Sequence, residues 1–356
     1  MPRKLKEPKS KSPCQHISRL EAYKRFATHV GGTQSARHIK PLHWYIACRL
    51  VLEGGFHPDE ITPRPPFDVD ETKGNRKILH FTPDKAKSRE QVVLGGLKTK
   101  NVDVVVTLPT LGPVIAISCK GVTKAFRNLT NRMEETIGEC TNLHITYAAM
   151  VVGYLAVIRA NRSVKDALEA PDMEEEEPAA ADAENGGVEA ADASNAEPEI
   201  PNVGATPTLP AEEDLSKRKI QEIKKNDIAI NKDGRVSENI TRFHDALSQM
   251  TLRHGLREDI ARYEAMTIAL VEPRGENPGS AFAAFPPAES PLRFETFFPT
   301  IYQRYEERFV FGAPSLVNLG ITRRLKWDRK SPALDLIGDL HAGWPDLDYD
   351  LRLADK

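Results

Sequence analysis

Three residues of the chain combine side chains that can hold a metal ion and act on a phosphate group. Asp103 lies within the otherwise apolar run NVDVVVTL, and Ser118 and Lys120 lie two positions apart at the end of the run VIAISCK. Burying an unpaired charged group is costly, so charged residues inside such runs are expected to have partners. Carboxylates bind hard cations such as Mg²⁺, and a lysine can stabilise charge on a phosphate. The combination is suited to metal-assisted attack of water on a phosphodiester.

The apolar runs around these residues predict the elements that position them. NVDVVVTL and VIAISCK are joined by PTLGP, which predicts a hairpin of buried strands. Side chains alternate between the faces of a strand, so Ser118 and Lys120 are predicted to share one face while Cys119 points to the other. A helix from about Thr130 to Asn142 and a central strand in AAMVVGYLAVI are predicted to follow.

The order of the elements predicts an α/β fold with a mixed sheet flanked by helices. An apolar helical pattern covers residues 35–52 and ends at Gly54 and Gly55. Later in the chain, SENITRFHDALSQMTLRHG predicts a helix that Ser237 caps, and YEAMTIALVE predicts a further strand. A helix, a β-meander, a helix and a strand in this order form an α/β sandwich.

The pairing of Asp103 with an S-x-K tripeptide resembles the PD-(D/E)xK nuclease superfamily. In that family an Asp on one strand faces an acidic-x-Lys tripeptide on the next strand, and here Ser118 replaces the acidic residue. The pattern is similar to that of type II restriction endonucleases with S-x-K on the strand, whose second metal-binding carboxylate lies on the following helix. Glu134 occupies that position, about fourteen residues after Lys120. The resemblance covers about residues 35–159, and Val102 stands where the family has Pro.

This resemblance implies an Mg²⁺-dependent DNA endonuclease with a restriction-endonuclease-like sheet. Asp103 and Glu134 would hold Mg²⁺, and the backbone carbonyl of Cys119 would be a further ligand. Lys120 would orient the attacking water and stabilise charge on the phosphate, while Ser118 would contact a metal-bound water. The resemblance implies that the partner is double-stranded DNA and that the biological role is restriction or another anti-phage defence. It also implies that the protein is a homo-oligomer, either a dimer or a tetramer.

Helix geometry bears on the choice between the adjacent acids Glu134 and Glu135. If Met133 and Ile137 belong to the apolar stripe that faces the sheet, Glu134 lies roughly 60° to 100° from them at about 100° per residue. Glu135 lies roughly 160° or more from both. The sequence therefore predicts that Glu134 borders the stripe that faces the sheet and that Glu135 lies on the face turned away from it.

Charge is unevenly distributed along the chain. Residues 166–216 contain 16 of the 51 acidic residues and no Lys or Arg, which leaves 35 acidic against 49 basic residues elsewhere, a balance of +14. This balance favours a polyanionic partner. The DNA contacts are expected just after the S-x-K strand, where the polar residues are Lys124, Arg127, Asn131 and Arg132.

Composition divides the chain into five segments. We expect a basic tail with a short helix in 1–34, the nuclease core in 35–165 and 217–273, and a disordered acidic insertion in 166–216. Residues 274–356 are predicted to be a region for target recognition or oligomerisation. The aromatic residues of this last segment that are expected at the surface are Phe297, Phe298, Tyr302 and Tyr305.

The same observations leave two other functions open. The chain could be a DNA-binding module that kept the nuclease fold but lost catalysis, with Ser118 as the mark of that loss, or an interaction subunit of a defence complex. No apolar run reaches the roughly 18 residues of a membrane helix. The four cysteines have no zinc-type spacing and suit a reducing compartment, so a cytoplasmic protein without a membrane partner is expected.

Overall fold

The computed structural model describes residues 18–30, 37–72, 76–170, 225–335 and 350–355. Most of the predicted acidic insertion and the basic tail lie outside these residues. The insertion was predicted to begin at residue 166, but a helix occupies Val164–Glu169, so its first residues are ordered. This helix forms because Ser163 and Asp166 cap it reciprocally.

A mixed five-stranded sheet lies at the centre of the described chain. The strands are β1 (Ile61–Thr62), β2 (Phe67–Thr72), β3 (Arg76–Phe81), β4 (Gln91–Val93), β5 (Lys100–Val102), β6 (Val104–Leu108), β7 (Gly112–Val122), β8 (Val151–Arg159) and β9 (Ala265–Val271). The main sheet has the order β1-β6-β7-β8-β9, while β2 with β3 and β4 with β5 form separate ladders. The strand β7 is antiparallel to β6 and parallel to β8, which is parallel to β9. The predicted α/β fold with a mixed sheet is confirmed.

Helices cover both faces of the main sheet. They are α1 (Arg19–Ala27), α2 (Lys40–Leu52), α3 (Leu129–Thr146), α4 (Val164–Glu169), α5 (Glu238–Met250), α6 (Phe294–Tyr305) and α7 (Pro314–Asn318), and a π-helical segment spans Glu306–Phe311. One hydrophobic core joins α1, α2 and α6 to the sheet, and a second joins α3 and α5 to the other face. No helix in the described residues combines the length and apolar character needed to cross a membrane.

The strands form where the apolar runs predict them. All nine residues of β8 are buried, because helices cover the sheet on both faces of this parallel strand. A strand in that position needs side chains that tolerate burial on both faces, which explains its continuous apolar run. The predicted hairpin is β6 and β7, and its turn uses positive φ angles at Thr110 and Gly112. The predicted cap of α5 is only partly right, since Ser237 occupies the N-cap position but its hydroxyl makes no capping hydrogen bond.

The segment after residue 273 completes the core, and the prediction that its aromatic residues lie at the surface is wrong. In α6, the side chains of Phe297 and Phe298 are fully buried against the sheet and α2, and Tyr302 and Tyr305 are buried beside them. Trp327 is also fully buried, and its indole N–H donates to the carbonyl of Val51 at 2.9 Å. Aromatic spacing along the chain cannot distinguish a surface patch from a helix that packs on a sheet.

A buried carboxylate, Glu264, lies where the second core meets the ends of several elements. Its side chain is completely buried, with Oε1 2.7 Å from Arg253 and 2.8 Å from Arg308. Oε2 accepts the N–H of Val152 at 2.7 Å and lies 3.4 Å from His144 Nε2. Burial acts to raise the pKa of Glu264, but the hydrogen bond and charge of His144, the charge of Arg308 and the N–H of Val152 outweigh it and lower the pKa to about 2.

Glu264 should therefore contribute to acid unfolding. Because its pKa is lowered, the ionised Glu264 carboxylate contributes fully to the free energy of unfolding when the pH is above the ordinary pKa of 4.5. This contribution is lost as the pH falls from about 4.5 to about 2. We expect Glu264→Gln to lower the free energy of unfolding at pH 7 by about 3 to 5 kcal/mol, because Arg253 and Arg308 lose their buried counter-charge. Urea unfolding from pH 2 to pH 7 measures both effects. Glu238→Gln, on the exposed surface of α5, is the control, and an equal response of the two variants would contradict the assignment.

Candidate active site

The strand β7 directs Ser118 and Lys120 towards α3 and Cys119 towards α2. The Ser118 hydroxyl donates to the Glu139 carboxylate of α3, and Lys120 Nζ lies 3.6 Å from Glu135 Oε1 on the same helix. Cys119 is buried in the opposite core, with α1 and α2. The prediction that Ser118 and Lys120 share one face is confirmed, because the alternation of side chains along a strand does not depend on tertiary contacts.

Asp103 lies at a bend between β5 and β6 and faces the middle of the S-x-K tripeptide. Its Oδ2 accepts the backbone N–H of Cys119 at 2.7 Å, and its Oδ1 lies 3.6 Å from His43 Nε2 of α2. The partner expected for this carboxylate is therefore present. The β6–β7 register, which pairs Val104 with Ile117, brings the two segments together.

The acids of α3 that meet β7 are Glu135 and Glu139, and the prediction that Glu134 borders the sheet-facing stripe while Glu135 is turned away from the sheet is wrong. Glu134 is exposed, and Ile137, which was assigned to the sheet-facing stripe, is 40 % exposed. The buried stripe instead mixes apolar with polar side chains, and its residues are Leu129, Thr136, Glu139, Cys140, Asn142, Leu143 and His144. Glu135 borders this stripe, and Glu139 belongs to it.

Three cations surround the two α3 carboxylates. Lys100 of β5 lies 3.3 Å from Glu139 Oε2 and 4.0 Å from Glu135 Oε1, and Arg132 lies 3.1 Å from Glu135 Oε2. Burial acts to raise the pKa of Glu135, but the charges of Lys120, Arg132 and Lys100 outweigh it and hold the pKa below its ordinary value. Glu135 is therefore ionised at neutral pH and can bind a cation.

The four residues predicted to contact DNA lie in different environments. Arg127, just before α3, and Asn131, in its first turn, are both exposed. Arg132 is bound to Glu135, next to Lys120. Lys124 is half-buried and donates to the backbone carbonyl of Ala170 at 3.3 Å, so its ammonium group is engaged within the protein.

Sequence analysis missed His43, which α2 brings to Asp103. The imidazole is buried, and burial lowers its pKa to about 4; the charges of Lys40 and Lys120 add to this effect and that of Glu90 opposes it. His43 is therefore neutral near pH 7. The signal that could have found it was a titratable side chain in a helical run, Leu42 to Leu52, in which every other residue except Arg49 is apolar or aromatic.

His43, Asp103 and Cys119 form a buried group that could hold a metal ion. Their ligand atoms, an imidazole nitrogen, a carboxylate oxygen and Sγ, all lie within 4.8 Å of one another. Glu135 and Glu139 of α3 lie on the opposite face of β7 and do not belong to this group. No protein-family model, curated protein or solved structure matches the chain.

The hydrogen bond between Ser118 and Glu139 should contribute to stability. Glu139 is 5 % exposed, and its Oε2 has no hydrogen-bond partner in the part of the chain that the structure describes. Loss of the Ser118 hydroxyl therefore leaves the carboxylate with Lys100, 3.3 Å away, as its main support. We expect Ser118→Ala to lower the free energy of unfolding by about 1 to 3 kcal/mol, measured by urea unfolding at pH 7. Thr300→Ala, on the exposed side of α6, is the control. A Ser118→Ala variant as stable as the parent protein would refute this role.

Proposed function

We propose that the protein is an Mg²⁺-dependent DNA endonuclease of the restriction or anti-phage defence type. The observation that carries this proposal is the hydrogen bond from the Cys119 N–H to Asp103. It joins an acidic residue before one strand to the centre of an S-x-K tripeptide on the next, and Lys120 then lies beside carboxylates of the following helix. Phosphodiester hydrolysis needs this set of groups: carboxylates for a hard cation and a lysine for the phosphate.

Asp103 and Glu135 are the residues that would hold Mg²⁺. Glu135 takes the role that the sequence suggested for Glu134, because it is the ionised carboxylate 3.6 Å from Lys120. Both side chains are partly exposed, at 22 % and 34 %, which suits a cation that retains several of its waters. When bound, Mg²⁺ would neutralise charge on the phosphate and lower the pKa of a bound water.

Lys120 acts on the phosphate in this proposal. Its ammonium group is held by Glu135 on the face of β7 that Ser118 shares, so it is oriented before the substrate arrives. A phosphate oxygen accepting from Lys120 would gain most from this charge as attack proceeds, and that gain lowers the barrier. Ser118 holds Glu139 and has no charge to contribute.

The charge around the site supports DNA as the substrate. Lys100, Lys120 and Arg132 lie within 4.0 Å of the α3 carboxylates, and Arg127 and Asn131 are exposed nearby at the start of that helix. The balance of +14 outside the acidic segment adds a long-range attraction for a polyanion. Double-stranded DNA and a homo-oligomer are proposed from the resemblance to type II restriction endonucleases.

A catalytically inactive DNA-binding module is the second candidate, and one observation favours it. Each α3 carboxylate already has a basic partner: Glu135 has Lys120 and Arg132, and Glu139 has Lys100. In that case the ion pairs would hold the helix to the sheet, and the chain would bind DNA without cutting it. Incubation of the purified protein with plasmid DNA and Mg²⁺, beside an EDTA control, separates the two functions.

The first catalytic prediction concerns Lys120. We expect Lys120→Ala to lower the rate of Mg²⁺-dependent plasmid cleavage by at least about a hundredfold while the affinity for DNA changes little, because the lysine acts mainly on charge that develops during attack. Lys124→Ala is the matched control, since Lys124 lies on the next segment but binds the carbonyl of Ala170. Cleavage by Lys120→Ala at the parent rate would rule out the assigned site.

The second prediction uses two adjacent glutamates on α3. We expect Glu135→Gln to abolish most Mg²⁺-dependent cleavage and Glu134→Gln to retain it, because the first faces Lys120 and the second is exposed. Rates are compared on the same DNA across a range of Mg²⁺ concentrations, and a loss of metal affinity would raise the concentration that Glu135→Gln requires. The reverse order of activities would return the role to Glu134.

A further inference from the structure

A second set of candidate metal ligands lies on the α2 side of β7, away from Ser118 and Lys120. The group formed by His43, Asp103 and Cys119 contains one nitrogen, one oxygen and one sulfur ligand atom within 4.8 Å of one another. Mg²⁺ binds oxygen ligands, whereas imidazole and thiolate together are typical of Zn²⁺ and of similar transition-metal ions. We propose that these three residues bind a divalent cation of the Zn²⁺ class.

The His43 imidazole is the observation that points to a ligand. It is 4 % exposed, and its Nε2 has no hydrogen-bond partner among the described residues. A histidine that serves only the packing of a core normally has both ring nitrogens satisfied, because an unpaired polar atom is costly to bury. Here Nε2 instead points towards the Asp103 carboxylate, 3.6 Å away, which is too far for a hydrogen bond.

The spacing of the ligand atoms fits a tetrahedral ion. Zinc–ligand bonds of about 2.0 to 2.3 Å put the ligand atoms of a tetrahedral site about 3.3 to 3.8 Å apart. The His43 Nε2 to Asp103 Oδ1 distance of 3.6 Å falls in this range, and Cys119 Sγ lies within 4.8 Å of both ligand atoms.

A pocket lies beside one of the three proposed ligands. His43 lines it between α2 and the segment before β4, together with Lys40, Trp44, Arg89 and Glu90. In this proposal an ion would enter on the side of the pocket, and a water molecule or the Glu90 carboxylate would supply a fourth ligand. Binding replaces the proton of the Cys119 thiol with the metal ion, and the proton leaves to the buffer.

Asp103 belongs to this site and to the proposed Mg²⁺ site. One of its oxygens accepts from the Cys119 N–H, and the other faces His43. An ion held by His43 and Cys119 would therefore occupy the carboxylate that Mg²⁺ requires. We therefore expect low concentrations of Zn²⁺ to inhibit DNA cleavage. This expectation rests on the proposed function, whereas the binding of the ion does not.

Metal binding itself is tested without DNA. The full chain is treated with a chelator, returned to chelator-free buffer under reducing conditions and titrated with Co²⁺, whose thiolate complexes absorb in the near ultraviolet. We expect one ion per chain, a thiolate-to-cobalt absorption band, and displacement of Co²⁺ by Zn²⁺ but not by Mg²⁺. Binding without this band, or no binding of one ion per chain, would overturn the proposal.

Three variants assign the ligands. Cys119→Ser and His43→Gln should each weaken the Co²⁺ affinity by at least about a hundredfold. Even the loss of a residue that only hydrogen-bonds to a metal ligand lowers metal affinity by about 10- to 100-fold. Cys48→Ser is the matched control, because Cys48 is a buried cysteine of the same core on α2, and it should bind as the parent does. Unchanged affinity in either ligand variant, or equal loss in all three, would contradict the assignment.

A second measurement covers the case in which a core variant does not fold. In the parent protein, Zn²⁺ should slow the alkylation of Cys119, identified by peptide mass spectrometry, without slowing that of Cys48 or Cys140. Protection of all three cysteines, or of none, would count against the site. Neither measurement involves DNA cleavage, so failure of the nuclease proposal leaves both interpretable.

Discussion

The completely buried charge of Glu264 is a constraint that several elements of the fold must satisfy together. An isolated carboxylate cannot remain ionised in such a core, so charged and polar groups have to converge on it. They come from separate elements: His144 from α3, Val152 from β8, Arg308 from the π-helical segment and Arg253 from the chain before β9. Each of these elements is thereby held in one position relative to the others.

The rotation of α3 about its axis follows from this constraint. His144 binds at Glu264, and the carbonyl of Thr136, two turns earlier, accepts from the Tyr263 hydroxyl at 2.9 Å. Residues spaced by four lie on one side of a helix, so these contacts turn that side towards β9 and the loop before it. Glu135 and Glu139 then lie beside β7, where Lys120 and Ser118 meet them, and Glu134 faces outward.

Asp103 lies where two kinds of ligand chemistry meet. On the α3 side of β7 are carboxylates and cations, which suit a hard metal ion and a phosphate. On the α2 side are an imidazole and a thiol, which suit a transition metal. Because successive side chains of a strand point to opposite faces, the tripeptide Ser118-Cys119-Lys120 contributes to both sides. In the two proposals made above, the one carboxylate of Asp103 would therefore serve both metal sites.

The sequence by itself determined the features that depend on local backbone geometry. The alternation of side chains along β7, the hairpin with β6 and the doubly buried strand β8 follow from apolar runs and turn residues whose effects extend over a few positions. The charge of Asp103 within an apolar run indicated a partner, and the partner is present. These inferences need no knowledge of what packs against each element.

Only the tertiary structure decided which residues of separate elements meet. The face of α3 that packs on the sheet contains Thr136, Glu139 and His144, which hydrogen bonds make acceptable in a core, whereas the apolar Ile137 is left exposed. Hydrophobic periodicity therefore predicted the helix but not its rotation. The same limit hid His43, which is 60 residues before Asp103 in the chain and reaches it only because α2 packs across the sheet. Packing of this kind is set by the sum of many distant contacts, which no local pattern of residues encodes.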